Sequence, residues 1–158
     1  MKKIVFAAIL LLICSSAAFG QRTKIVHYIL DEYYTDTQFI EQLDSLIREY
    51  DQFYEKDKGR YCSVWIIPRE NNEYWVSATL PLDFNPPDPS KYHFGYIEYN
   101  GMIYILAREN PDNMFVRKPC GNQKVFTTKV YRDGEILGIE DPPNMWFIMG
   151  DDKILRDR

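Results

Sequence analysis

From Phe39 onward, apolar residues recur at steps of three and four: Phe39, Ile40, Leu43, Leu46, Ile47, Tyr50, Phe53 and Tyr54. That spacing puts them on one face of an amphipathic helix. Thr35 with Gln38 three residues later predicts a capping box at its start, and Asp36 suits the positive helix end. Lys56, Lys58 and Gly59 predict its close, where cations meet free carbonyls and a glycine turns the chain. One such helix must pack on something, and the rest of the pattern is that of strands.

Thr23–Leu30 is rich in β-branched and aromatic residues and predicts a first strand. Tyr61–Ile67 and Tyr74–Leu80 predict two more, joined by residues 68–73. The run FGYIEYNGMIYIL is the strongest hairpin signal, because Asn100 and Gly101 both tolerate the positive φ of a type I′ turn. Its register sets Tyr99 opposite Met102, Ile97 opposite Tyr104 and Gly95 opposite Leu106, with Glu98/Ile103 and Tyr96/Ile105 on the other face. Both faces are largely apolar, so the hairpin is expected in mid-sheet. Val125–Glu140 predicts a second hairpin around Asp133-Gly134. Met145–Met149 predicts a last strand, with a short return through Ile154 and Leu155. Two stretches read as irregular: Pro81–Tyr92, whose four prolines bar a central strand, and Arg108–Lys124. The expected fold is α+β, one amphipathic helix packed on a mostly antiparallel sheet of about six to eight strands.

The first 20 residues change the picture of the compartment. Lys2 and Lys3 precede an apolar run from Ile4 to Ile13, and small residues follow through Gly20. This is the pattern of a signal peptide, with cleavage expected before Gln21 or, alternatively, after Ala18. The apolar run is too short to span a membrane. Residues 21–158 then form a single globular domain, periplasmic or extracellular. Cys14 offers a lipid anchor as the lesser alternative, since Ile13 stands where lipoprotein signals want a small residue. The 19 basic and 23 acidic side chains give a net charge of −4, and loss of the two leader lysines takes it to −6. That balance argues against nucleic acid, which needs a basic face. In an oxidising compartment Cys62 and Cys120 are expected to pair, closing a loop worth roughly 4 kcal/mol of chain entropy.

Little in the chain carries recognisable chemistry. His27 alternates with Ile25 and Ile29 and reads as a strand histidine, while His93 sits between the proline-rich stretch and the central hairpin. Pairing Cys120 with His93 as a nucleophile is disfavoured by the expected disulfide. No ligand spacing for a metal, no phosphate-cradling glycine loop and no nucleophile elbow occurs, so no cofactor is implied. The adjacent acids Asp31-Glu32, Glu140-Asp141 and Asp151-Asp152 read as solvated turns. Aromatics are plentiful, at 15% of residues, and Trp75 shares the polar side of its strand with Ser77 and Thr79. Trp65 and Trp146 lie in continuous apolar runs and are expected in the core. The candidate ligand surface is therefore Trp75 with Tyr92 and His93, suited to a protein or a carbohydrate partner. The function expected is a non-enzymatic binding domain. The alternatives are a small secreted hydrolase using His93 and a structural envelope protein.

Overall fold

The computed structural model describes residues 23–51, 61–80, 92–111, 113–131 and 144–158. The leader, the helix close expected at Lys56, Lys58 and Gly59, the turn expected at Asp133-Gly134 with the strand expected after it, and the proline-rich stretch up to residue 91 lie outside these residues. In chain order come β1 (Thr23–Thr35), α1 (Thr37–Asp51), β2 (Tyr61–Pro68), β3 (Tyr74–Thr79), β4 (His93–Tyr99) and β5 (Met102–Ala107). β6 (Phe115–Arg117), β7 (Gln123–Tyr131), β8 (Asn144–Met149) and β9 (Leu155–Asp157) follow. Among the described residues the fold is α+β, a curled half-barrel of nine strands with one α-helix. The strands run β6-β1-β4-β5-β2-β3-β8-β9, and β7 pairs with the first half of β1. Pairing is mostly antiparallel, but β1/β4 and β2/β5 run parallel.

Nine strands exceed the six to eight expected, and the extra one is β6. It is three residues long and lies inside the stretch that reads as a loop, too short for alternation to show. It pairs with Tyr33, Tyr34 and Thr35, so β1 runs five residues past Leu30. This moves the helix start. Thr35 stays in the strand and donates its hydroxyl to the Met114 carbonyl at 2.7 Å, so it does not cap. Asp36 caps instead, its carboxylate accepting the Gln38 N–H at 2.9 Å.

The β4–β5 hairpin has the register expected from its turn, with φ of 48° at Asn100 and 79° at Gly101. A bulge between His93 and Gly95 interrupts it. A Cβ on Gly95 would stand 2.3 Å from the Tyr33 ring, which packs edge-on against Phe94 with centroids 5.0 Å apart. The absent side chain makes room for that aromatic contact.

One face of the sheet takes the helix. Phe39, Ile40, Leu43 and Ile47 pack with Val64 and Ile66 of β2, Val76 and Ala78 of β3, Tyr104 and Leu106 of β5, and Phe147 of β8. Leu43 is fully buried, a gain of about 2 kcal/mol for a side chain of that size. Asp44 lies in this layer at 4% exposure. Tyr104 donates to its Oδ1 at 2.6 Å, and Arg48 and Asn100 each donate to Oδ2 at 2.9 Å. Burial works to raise the Asp44 carboxyl, but these donors outweigh it and hold it below the usual carboxylate range. The helix is thereby tied to the hairpin turn. Asn110 does similar work at the edge of β2, where the ladder to β5 stops at Val64: its Oδ1 accepts the Ile66 N–H. The opposite face holds a smaller cluster of Tyr28, Leu30, Tyr96, Ile105 and Phe126.

The expected disulfide is absent. Cys62 and Cys120 are free thiols, Cys62 buried in the helix-side core and Cys120 exposed in the turn after β6. That turn is tied to β1, since Lys118 N–H donates to the Glu32 carbonyl at 3.0 Å. Three strand spacings separate β1 from β2, about 14 Å and beyond disulfide reach. Burial also pushes the Cys62 thiol up, away from the reactive thiolate.

Candidate functional site

Because Val64, Ile66, Val76 and Ala78 face the helix, alternation sends Ser63, Trp65, Trp75 and Ser77 to the other side. Trp146, opposite Ser77, joins them. All three tryptophans therefore share one face and are half-buried, and the core placement expected of Trp65 and Trp146 does not hold. Their strands are apolar on both sides, so their runs carry no mark of which side faces the helix.

The three candidate residues fall into two groups on this face. Tyr92 and His93 gather on Trp65, with ring centroids 6.5 and 6.3 Å from it. Trp75 stands one diagonal away across the β2–β3 ladder, where Trp65 pairs with Ser77. Trp75 meets the Trp146 ring edge-on at 6.0 Å, and the Arg69 and Arg158 guanidiniums lie over it at 4.1 and 4.4 Å. These cations occupy the ring surface that a sugar would stack on. Tyr92, at 40% exposure, is the open aromatic of the three.

His93 has a chemically suggestive neighbour that sequence spacing hides. Its Nε2 lies 3.2 Å from the Ser63 hydroxyl, which accepts the Trp65 indole N–H at 3.2 Å. A serine beside an imidazole is the start of a nucleophilic pair. Both residues are only 4% exposed, however, which closes the hydroxyl to a substrate.

The cavity that suits a ligand lies elsewhere. A cleft of about 420 Å³ opens at the start of α1, within the size range of small-molecule sites. Its walls come from element ends: Tyr34 and Thr35 from β1, Phe39 from the helix, Tyr74 from β3, Met114 and Val116 beside and in β6, Met149 from β8. β6 stands at one limit of the strand order and β8 near the other. The cleft is thus the mouth of the curled sheet, where its two ends approach. Asp36, Asp151, Lys153 and Asn113 form the polar rim. Lys153 Nζ is 3.7 Å from an Asp36 oxygen, and Asn72 donates to Asp151 at 3.3 Å.

No family model, curated protein or solved structure matches the chain. Among the described residues, no three His, Cys, Asp or Glu side chains converge as metal ligands would, and no helix is long and apolar enough to cross a membrane. The acids Asp31 and Glu32, expected in a turn, lie in β1 and pair with Arg117 and Lys118. The Lys118 ammonium, hydrogen-bonded to Glu32, holds that carboxyl below its usual range. These pairs fasten the irregular stretch that bears the cleft residues Asn113, Met114 and Val116. Sequence offered one pointer to the cleft, the length of that stretch.

Proposed function

We propose that this chain is an exported, non-enzymatic binding domain, acting in the periplasm or outside the cell, whose ligand sits in the cleft at the mouth of the sheet. The cleft carries the proposal: it is apolar and aromatic inside, has a few polar groups at the rim and is framed by rigid element ends. The leader pattern of residues 1–20 supports export. Tyr92 is a candidate secondary contact on the tryptophan face.

A cleft-filling variant tests this reading. Val116 is 47% exposed on β6, so Val116→Trp should block the mouth without disturbing the core. In a thermal-shift screen of a small-molecule library, compounds that stabilise the parent are expected to lose their effect on Val116→Trp. Stabilisation that survives in the variant would place the site elsewhere.

A hydrolase stands as the second reading because Ser63 and His93 are in contact, although their burial weighs against it. Esterase and peptidase activity that disappears in a folded His93→Ala variant would support it. Equal turnover by parent and variant would remove it.

A further inference from the structure

We infer that the ligand of the cleft is a small organic ammonium ion, a cationic nitrogen carried on an apolar body; this rests on the cleft being the binding site. Two accessible aromatic rings, exposed Tyr34 and half-buried Tyr74, line it beside the core ring of Phe39, and ring faces attract cations through their quadrupoles. The half-buried Met114 side chain supplies soft, adaptable surface for an apolar body. The charged rim consists of two carboxylates, Asp36 and Asp151, against one ammonium, Lys153, so it carries net negative charge. The chain as a whole is acidic, at −4, which raises the local concentration of cations.

The competing preference would come from the helix start, whose free N–H groups favour anions. Here that demand is already met. The Asp36 carboxylate accepts the Gln38 N–H, and the Asp36 carbonyl accepts those of Phe39 and Ile40. An anion would face the Asp36 and Asp151 carboxylates with Lys153 its one cationic partner, already 3.7 Å from Asp36, whereas a cation meets two carboxylates and aromatic rings against that single ammonium.

The test is calorimetric titration of the protein with three probes on one benzyl or phenyl body: benzyltrimethylammonium, benzyl alcohol and benzoate. Probes this small bind at about millimolar when they bind. The cation is expected to bind about tenfold more tightly than the alcohol, with benzoate weakest. Asp151→Asn should weaken the cation about threefold, and so should Asp36→Asn, which keeps the helix cap. Equal or tighter binding of the alcohol or benzoate, abolished by Val116→Trp, would overturn the charge preference and leave the cleft as the site. Absence of heat from the cation would also overturn it. Probe binding that Val116→Trp leaves intact would overturn the cleft reading itself.

Discussion

The two faces of β2, β3 and β8 are built from alternate residues of the same strands, yet they are organised differently. On the helix side, Val64, Val76 and Phe147 are fully buried under Leu43 and Ile47, and the polar intruder, Asp44, is satisfied by three donors. On the other side, Trp65, Trp75 and Trp146 are half-buried and make specific contacts with Ser63, His93, Arg69 and Arg158. The first face is held by packed volume. The second is held by ring geometry and charge, each contact worth less than a buried aliphatic. Rich aromatic content is therefore a poor guide to open surface in this fold, because the indoles are engaged with their own neighbours. The cleft belongs to neither sheet centre and lies where the ends of the elements meet.

This contrast can be broken by mutation. The largest effect is expected for Leu43→Ala, which should cost about 3 kcal/mol in urea denaturation by leaving a cavity under the helix. A loss below about 1 kcal/mol would mean that the helix does not seal that face. Asp44→Ala should come next, at about 2 kcal/mol, because it strands the buried Tyr104 hydroxyl and removes the acceptor shared by Asn100 and Arg48. Its carboxyl is held below its unfolded value, so the stability it contributes is present above about pH 4 and lost as pH falls through the folded pKa. Acid unfolding curves of Asp44→Asn should lack that component. Trp75→Ala should cost about 1 kcal/mol, less than Leu43→Ala, through lost contact with Trp146 and two arginines. A cost equal to that of Leu43→Ala would erase the distinction between the faces. The smallest informative pair is at the helix start, where Asp36→Ala should cost about 1 kcal/mol and Asp36→Asn a few tenths, read as a shift in melting temperature.

Local signals were legible where turn chemistry or periodicity dictated them. Asn100-Gly101 set the register of β4 and β5 residue by residue, and the spacing from Phe39 to Ile47 marked the buried helix face. Signals failed where tertiary pairing outranked them. Thr35 is a sound capping residue by composition, but its backbone pairs with Phe115 and its hydroxyl serves Met114, so Asp36 caps instead. Cys62 and Cys120 form an even pair by count, yet two strands intervene between β1 and β2. The tryptophan face was half legible. Ser77 and Thr79 marked the polar side of β3, while the apolar runs around Trp65 and Trp146 hid theirs. The cleft was the least legible, since Tyr34, Tyr74, Met114 and Met149 are brought together only by the curl of the sheet.

The most direct test of the cleft as the binding site is a two-dimensional amide and indole NMR titration with benzyltrimethylammonium. The indole N–H signals of Trp65 and Trp146 report on the tryptophan face, and the amides of Phe39, Met114 and Met149 report on the cleft. With the ligand in the cleft, the cleft amides shift with a common saturation curve while the two indoles stay still. Indole signals that move first, with the cleft amides unchanged, would contradict this placement and return the site to the surface around Trp65, Tyr92 and His93.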